Sequence, residues 1–349
     1  MTASAPSTPT RITAPLRTRI TTETVDSSSL ARNAIDGRWI AAAGATAISL
    51  TAVFTRLADV NVATTLFYRC LIAAVPLALL AWFEIRRHGV PTRRTFGLHL
   101  LAGVLLGIDF ATWTQSIFLV GAGVATILNN VQAIVVPLLA WALFRDRVSL
   151  RFVLAMPVML VSLTLAGGLL GSDSASAPDP FLGTVLGLVS GVAYAGFILI
   201  IARTGDPRGG PNTQVLTTTI VSGIVGAGIA AFWGGIDLTP GWAPLGWLAA
   251  LALGGHVLGW VLISTALPRL PVQIGASMLL LQPALAVVFA MVILAERPTA
   301  MQLLGCAGVV AMVAVVSMSR REPAVEDVDT RAPADRGDAA VARRRSVDC

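Results

Sequence analysis

The sequence of 349 residues contains no lysine, and charged residues make up only 13% of it. In soluble domains about a quarter of the residues are charged, whereas 55% of this chain is hydrophobic and its mean hydropathy is +0.76. These values exclude an ordinary soluble domain and predict a multi-pass protein in a lipid bilayer. The net charge of +6 comes from arginines that lie between apolar runs and in two tails, a distribution typical of membrane orientation and not of a nucleic-acid partner.

Residues that hold metals or perform catalysis are also scarce. Cys70, Cys306 and Cys349 have no close spacing, so neither a metal site nor a redox pair is predicted and we expect no cofactor. The HExxH and P-loop patterns are missing, which removes local support for a metalloprotease or an ATP-driven pump. GASM at 275–278 resembles the serine motif of rhomboid proteases, but His256 precedes the serine and the second motif glycine is absent, so an intramembrane hydrolase stays a remote alternative.

Ten apolar runs of roughly 20 to 27 residues are each long enough to cross a hydrocarbon layer of ~30 Å at 1.5 Å per residue. Residues 1–36 and 320–349 are too polar to form a core, so we predict two disordered cytoplasmic tails. The first 36 residues hold no apolar segment of the kind found in cleavable signals, so we expect insertion to begin with the first run. The predicted spans are 37–58, 61–85, 95–119, 121–144, 150–171, 180–202, 212–235, 241–267, 271–295 and 298–319.

The arginines between the spans predict the orientation. With a cytoplasmic N-terminus, the inside loops hold ten arginines and the outside loops only Arg56 and Arg297. We therefore expect a multi-pass protein of the cytoplasmic membrane with both termini inside the cell. The acidic, proline-containing segment 172–179 is an extracytoplasmic linker between five spans and five spans. Because five is odd, the second half enters the membrane upside down, which predicts an all-α fold of two inverted five-helix repeats.

Two stretches of the sequence repeat. GAGVATILNNVQAIVVPLLAWALFRDR at 121–147 matches IGASMLLLQPALAVVFAMVILAER at 274–297 with an offset of 150, which places Gln132 on Gln282 and Asp146 on Glu296. LGIDFATW in span 3 matches LGGHVLGW in span 8 with an offset of 147. Inverted repeats are common in transporters that open alternately to either side of a site near the bilayer midplane.

These features resemble the EamA-type repeat of the drug/metabolite transporter superfamily. The resemblance rests on FYRC at 67–70, the GAGVATILNN opening of span 4, the charged end of that span and LLLQPALAV at 279–287. It covers a first repeat at 37–171 and a second repeat at 180–319. The resemblance implies a secondary transporter, usually an exporter of small metabolites or drugs, with its site in a cavity between the halves.

Two positions depart from the family pattern. The first repeat of the family usually ends in glutamate, where this chain has Asp146, and often carries a proline in the middle of span 4, where this chain has Ala133 opposite Pro283. We therefore expect only span 9 to contain the backbone break that a proline creates.

Three ionisable residues lie inside spans, where each costs at least ~2.5 kcal/mol and needs a reason. Arg69 in span 2 and Asp109 in span 3 lie at similar depths on adjacent helices, so we predict an ion pair, either as a structural clasp or with Asp109 exchanging Arg69 for a proton or a substrate amine. His256 occupies the position equivalent to Asp109 and can change charge near neutral pH, so the two residues could couple transport to protons. His256 alternatively only bonds a neighbouring helix.

Other polar and aromatic residues complete the predicted pathway. Gln132 and Gln282 offer donors and acceptors across the interface between the halves, or bond neighbouring helices. Asn129 and Asn130 are adjacent, so at most one faces the interior. Three aromatic residues inside spans either line a substrate pocket or pack the core: Trp113, Trp260 and Tyr194. Four ionisable residues lie near span ends, where snorkelling and topology explain them: His99, Glu84, Arg203 and Glu296.

We therefore expect a proton-coupled exporter of small metabolites, amino acids or drugs that works by alternating access. A facilitative uniporter or a channel is the alternative. The sequence predicts a small-molecule substrate without identifying it, and it leaves the oligomeric state open.

Overall fold

The computed structural model describes residues 27–146, 148, 150–168, 178–204, 210–266, 270 and 272–318. Every regular element within these residues is helical. Twelve α-helices follow one another, and a π-helical segment, Ala250–Leu258, joins the ninth to the tenth. The α-helices are α1 Ser27–Ala58, α2 Val62–His88, α3 Arg93–Val120, α4 Ala122–Asn129, α5 Gln132–Phe144, α6 Leu150–Ala166, α7 Pro180–Arg203, α8 Pro211–Ala230, α9 Trp242–Ala249, α10 Gly259–Ala266, α11 Val272–Ile293 and α12 Ala300–Met318.

Seven segments of the described chain are long and apolar enough to cross a membrane. In this set α4 and α5 form one span, and α9 forms another with the π-helical segment and part of α10. Three further apolar segments are shorter: Phe152–Ala166, Leu281–Ile293 and Ala300–Val315. The seven spans are Gly37–Ala58, Val62–His88, Arg93–Val120, Ala122–Phe144, Pro180–Arg203, Pro211–Ala230 and Trp242–Ile263.

The structure describes only parts of the predicted tails and of the predicted linker. Residues 1–26, the tail 320–349 and most of the linker 172–179 lie outside the described residues. The first helix begins at Ser27, within the segment that the sequence predicts to be disordered. Residues 27–36 contain alanine and leucine and neither proline nor glycine, so the helix of the first span continues through them.

Helices of one half pack against helices of the other in reciprocal pairs. Helix α3 packs on α7, and α1 packs on the π-helical segment and α10, which is the equivalent pairing with the halves exchanged. Helix α2 packs on α8, and α6 packs on α12, each against its own counterpart. This is the packing that a two-fold relation between the repeats requires.

Small residues allow the closest of these contacts. Gly103 and Gly107 face Val221 and Ser222 of α8, and a methyl group on either glycine would overlap its neighbour. In the second half a side chain at Gly255 would overlap α1. Since lipid is as apolar as leucine, helices in a membrane associate through such close backbone packing. In the same way Gly187 of α7 lies against Leu128 of α4 and Ser116 of α3, and Gly191 lies against Asn129 and Val131 at the end of α4.

The helices α5 and α11 end in the same conformation, 150 positions apart. Arg145 (φ 58°) and Ala295 (φ 52°) adopt the left-handed conformation. In both helices the next residue donates its backbone N–H to the carbonyl six residues back. These bonds join Asp146 to Ala140 at 3.4 Å and Glu296 to Ala290 at 3.2 Å. The repeat seen in the sequence therefore recurs in the backbone.

The expected proline break is wrong. Helix α11 continues through Pro283, whereas span 4 is interrupted at Asn130 and Val131, between α4 and α5. Pro137 lies beyond this break, inside α5, and the helix continues through it. Bonds of the tighter i→i+3 type replace the α-helical ones at the break, from the N–H of Asn130, Val131, Ala133 and Ile134 to Ile127, Leu128, Asn130 and Val131.

Candidate functional site

Five ionisable side chains are buried in the described residues, among them His99 at 1% and Glu84 at 9% exposure, and the other three are the predicted site residues. Arg69 of α2 is 5% exposed, Asp109 of α3 is 5% exposed, and His256 of the π-helical segment is 3% exposed. The first two come from the first half of the chain and the third from the second half. Because burying a charge is costly in a protein interior, the contacts of these three residues decide what the site can do.

Arg69 is held mainly by aromatic contacts. Its Cζ lies 3.9 Å from the centroid of the Phe110 ring and 5.9 Å from that of Trp113. Its Nη2 lies 3.4 Å from His256 Nδ1, a long hydrogen bond. Its Nε and Nη1 are buried and have no hydrogen-bond partner among the described residues. The guanidinium therefore uses one of its five donors at most.

The predicted ion pair between Arg69 and Asp109 does not form. No nitrogen of Arg69 lies within 4.0 Å of a carboxylate oxygen of Asp109, and the ion pair found in the described part of the chain is Arg203 with Asp146. Each group instead contacts another residue, since Arg69 stacks on Phe110 and Asp109 accepts a hydrogen bond from Asn129 of α4. The two opposite charges interact at a distance without contact.

Asp109 is bound by the last residue of α4. Asn129 Nδ2 donates to Asp109 Oδ1 at 2.8 Å and to Ser190 Oγ of α7 at 2.5 Å. The neighbouring Asn130 turns back and donates to the carbonyl of Thr126 at 2.8 Å. The prediction that at most one asparagine faces the interior is confirmed, and the break after α4 separates their directions.

His256 has a contact at each ring nitrogen. Nδ1 faces Arg69 Nη2, and Nε2 lies 3.0 Å from Thr219 Oγ1 of α8. A guanidinium only donates hydrogen bonds, so Nδ1 must accept, and the ring proton lies on Nε2, where it can be donated to Thr219. The imidazole is therefore neutral in this arrangement. The Phe110 ring packs edge-on against it, with ring centroids 5.8 Å apart.

The two glutamines do not bond each other. Gln132 begins α5, and its Oε1 is buried without a hydrogen-bond partner among the described residues. Gln282 contributes its backbone carbonyl, which accepts a hydrogen bond of 2.9 Å from Ser49 of α1. Helices α4 and α11 do pack on each other, with Gly123 close to Val287, so spans 4 and 9 face one another along the α4 part.

The three predicted aromatic residues belong to the core clusters or pack against them. Trp113 is buried and belongs to a core cluster with α4, while Tyr194 and Trp260 are half-buried and pack against the cluster that contains Phe110. Tyr194 stacks on Phe197 with ring centroids 5.6 Å apart. Of the three, Trp113 has its ring centroid 5.9 Å from Cζ of Arg69, at the outer limit of a cation–π contact.

Sequence reasoning missed the partners of the charges. Ser190, Thr219 and Phe110 are not ionisable, and nothing in a single sequence distinguishes them from other small polar or aromatic residues in apolar spans. A weak signal exists for Ser190, since it lies within the glycine pattern at 187–191 where helices approach closely. Thr219 ends a run of three threonines, and only the fold shows which of them turns inward.

Two carboxylates near span ends bind helix N-termini in the opposite half. Glu84 of α2 accepts hydrogen bonds of 2.7 to 2.9 Å from the backbone and side chains of Asn212 and Thr213 at the start of α8. Glu296 accepts from the backbone of Ala122 at 2.7 Å and Gly123 at 3.3 Å, at the start of α4. Snorkelling and topology are therefore the wrong explanation for both acids, because free amides and the helix dipole attract them.

Asp146 is the equivalent of Glu296, and its partner is different. It pairs with Arg203 at the end of α7, at 2.5 Å between Nη2 and Oδ2, and the two side chains are 50% and 44% exposed. The two ends of the bundle thus differ. Glu296 binds the start of α4 at the end that the sequence predicts to be extracytoplasmic, whereas Asp146 pairs with Arg203 at the other end.

The buried charges do not lie in an open pocket. An apolar groove of 590 Å³ lies among α3, α5 and α7, and Leu105, Leu139 and Val189 are among its lining residues. A second cavity of 180 Å³ lies beside Asn61 and Trp233. Neither of these two is lined by Arg69, Asp109 or His256, and the three side chains are at most 5% exposed, so the structure holds them in a closed arrangement.

Comparisons with known proteins agree with the fold. A family model described as the EamA-like transporter family matches residues 37–168 and 181–318. The threonine/homoserine exporter RhtA of Salmonella typhimurium, from strains SL1344 and LT2, is 33% identical over 150 residues, which are 43% of this chain and 50% of the relative. The chain thus spans about half the length of these curated relatives. A protein of known crystal structure is similar with a TM-score of 0.52 and 15% identity, over 81% of this chain and 97% of that one, which supports the fold alone.

Proposed function

Since this chain belongs to the EamA-like transporter family, we propose that it is a proton-coupled exporter of small metabolites, amino acids or drugs. The chain is a multi-pass membrane transporter and not an enzyme. In the proposal it crosses the cytoplasmic membrane ten times, as two inverted halves, with both termini in the cytoplasm. The similarity to a threonine/homoserine exporter supports export and makes these amino acids the first substrates to test.

The observation that carries the proposal is the buried layer shared by the two halves. Asp109 comes from the first half and His256 from the second, at positions that the repeat makes equivalent, and Arg69 contacts His256 between them. Such a layer near the centre of a membrane protein is expensive and marks ion or substrate pathways. A continuous channel would keep this layer open to water, whereas all three side chains are at most 5% exposed.

Asp109 is the group that carries the proton in this proposal. His256 is kept neutral by the donor it faces, because protonating Nδ1 would place a cation against the Arg69 guanidinium. Asp109 has no cation in contact and is bonded only through neutral groups. It can therefore hold a proton in one state and a substrate amine in the other, which is the exchange that couples the two movements.

The difference between Glu296 and Asp146 supplies a gate at each end. The amides that Glu296 binds, at Ala122 and Gly123, have equivalents at Val272 and Gln273 under the offset of 150. In the proposed cycle Asp146 leaves Arg203 and binds the start of α11 when Glu296 releases α4. One end of the bundle closes as the other opens, which is alternating access.

The coupling is tested with purified protein in vesicles loaded with labelled L-threonine or L-homoserine. A pH gradient with the acidic side outside is expected to accelerate efflux several-fold in the wild type and to have no effect in Asp109→Asn. Asp237→Asn, at an exposed loop carboxylate that bonds only Thr239, is the matched control and should behave like the wild type. Equal efflux with and without the gradient would support a uniporter instead.

The gates are tested with two cysteine pairs in a variant without native cysteines. Ala122→Cys with Glu296→Cys reports closure at one end, and Asp146→Cys with Gln273→Cys reports closure at the other. The proposal expects each pair to cross-link, and expects no molecule to form both disulfides when all four cysteines are present. Both disulfides in one molecule would exclude the exchange of gates.

A further inference from the structure

The guanidinium of Arg69 has unused hydrogen-bond donors in a buried position. Nε and Nη1 carry three N–H hydrogens between them, and neither atom has a partner among the described residues although the side chain is 5% exposed. Arginine remains charged in proteins, so the charge persists when the site is closed. An unpartnered buried cation is costly, and the chain offers no acid within 4.0 Å of it in the described residues.

The packing around Arg69 decides how a ligand can approach. The Phe110 ring covers a face of the guanidinium, with its centroid 3.9 Å from Cζ. His256 Nδ1 accepts a hydrogen bond from Nη2, and the ring is held in turn by the bond between its Nε2 and Thr219. These two bonds fix the plane of the guanidinium. The free N–H groups therefore point outward from the edge of the guanidinium. A planar acceptor with two oxygens fits such an edge best, and a carboxylate has this shape.

The second charge of the layer favours a ligand that also carries a positive group. Asp109 and Arg69 carry opposite charges and do not form an ion pair in the described part of the chain. A dianion would be repelled by Asp109, and a simple cation would be repelled by Arg69. A zwitterion brings a carboxylate to the one and an ammonium group to the other, so that every charge in the closed site is matched.

From these contacts we infer that the substrate is an α-amino acid whose carboxylate binds to the free edge of Arg69 and whose ammonium group faces Asp109. The inference rests on the proposed transport function and narrows it, because cationic drugs and uncharged metabolites lack the carboxylate. His256 and Phe110 act as positioning residues that hold the guanidinium in place. The absence of an ion pair between Arg69 and Asp109 leaves both charges free for the ligand.

The experiment measures thermal stabilisation of the purified full-length protein by a panel of amino acids that includes L-threonine and L-homoserine. Three matched probes accompany homoserine. 3-Aminopropan-1-ol lacks the carboxylate, and 4-hydroxybutanoate lacks the amine. Homoserine methyl ester keeps the amine and replaces the charged carboxylate with a neutral ester. We expect at least one amino acid to stabilise the wild type, and its probe without a carboxylate and its ester to bind about tenfold more weakly or not at all, since hydrogen bonds to charged groups contribute strongly.

Two variants test the residue itself. Arg69→Gln is expected to remove the preference for the acid over its ester, and Arg69→Lys to keep part of it, because lysine preserves the charge but not the planar donor edge. The wild-type comparison of acid and ester remains decisive if Arg69→Gln does not fold. Equal binding of acid and ester, or stabilisation by amines and by no amino acid, would overturn the inference.

The outcome is separable from that of the proposed function. If a pH gradient accelerates the efflux of an amine or an ester from vesicles, the proposal of a proton-coupled transporter stands and the proposal of carboxylate recognition by Arg69 is wrong. If amino acids bind and none is transported, the amino-acid site stands and the proposed transport function is wrong. Stabilisation by no member of the panel also overturns the amino-acid assignment, whatever the vesicles export.

Discussion

Asp109 and His256 occupy equivalent positions in the two halves and differ in almost every contact. Asp109 lies in a regular α-helix, is ionisable and receives a hydrogen bond from Asn129 of its own half. His256 lies in a π-helical segment and joins Thr219 to Arg69 of the other half. The comparison teaches that the repeat preserves the position of a polar group while its chemistry diverges. The first half contributes Asp109, whose charge a proton can neutralise. The second half contributes the neutral imidazole of His256, which holds the guanidinium of Arg69.

The helix type accounts for part of this difference. π-Helical turns are rare and occur often at functional sites, since the additional residue changes which side chains face inward. Gly254 and Gly255 precede His256, and the close approach of Gly255 to Thr51 of α1 fixes the segment against the first half. The equivalent stretch of α3 has Gly107 against α8 and remains a regular helix.

The largest effect is expected from His256→Asp, which makes the two equivalent positions alike. A carboxylate at this position would lie beside Arg69 Nη2 and pair with the guanidinium, so it would neutralise the charge that attracts the substrate carboxylate. We expect transport to fall at least tenfold while the thermal stability of the protein is retained, since hydrogen bonds to charged groups contribute about 1.5 to 3 kcal/mol. Rates of vesicle efflux and melting temperatures are the measurements.

His256→Asn is the control for that variant. Its side-chain oxygen can accept from Arg69 and carries no charge, so we expect a loss of only a few-fold. If His256→Asp and His256→Asn transport equally well, the histidine does not hold Arg69 for the substrate.

An intermediate effect is expected from Asn129→Ala, which acts on the first-half member of the pair. The variant removes the hydrogen bond that stabilises the Asp109 carboxylate, so the proton is released less readily and the pH profile of transport should move to higher pH. We expect the apparent affinity for substrate at neutral pH to fall by about threefold to tenfold. Asn130→Ala is the matched control, because Asn130 bonds only the carbonyl of Thr126. Identical pH profiles for the two variants would contradict the role of Asn129.

The smallest effect is expected from Thr219→Val, which acts on the second-half member. The hydroxyl is the partner of His256 Nε2, and its loss frees the ring to turn away from Arg69. A neutral hydrogen bond contributes about 1 kcal/mol, so substrate affinity should fall about fivefold with little change in the pH profile. Thr217→Val removes a hydroxyl that bonds only its own helix at Thr213, and it should resemble the wild type. A shift in pH profile for Thr219→Val would show that His256 titrates.

Much of the fold follows from the sequence because it depends on repeated, additive signals. Apolar length predicts the spans, and the offset of 150 predicts helix endings that the backbone shares at Arg145 and Ala295. The break in span 4 does not follow from the proline pattern, because α11 continues through Pro283 and the interruption lies at Asn130 and Val131, where the chain has no proline.

The contacts of the site follow from the sequence less well. Burial of Arg69, Asp109 and His256 was predictable, since ionisable residues in apolar spans rarely face lipid. Their partners were not, because depth along a helix says nothing about the direction in which a side chain points. Arg69 and Asp109 lie on adjacent spans at similar depth, yet the rotation of α2 and α3 brings Arg69 to Phe110 and His256. Glu84 and Glu296 are similar cases, since each binds a helix start in the other half.

The opposite charges of Arg69 and Asp109 have an electrical consequence for the proposed cycle. With a neutral His256, the layer has no net charge when Asp109 is ionised, and it has one positive charge when Asp109 holds a proton. A bound zwitterion adds no net charge, so membrane voltage does no work on the substrate-loaded carrier. Voltage acts only on the proton-loaded step, with about 2.3 kcal/mol per 100 mV for a charge that crosses the whole field.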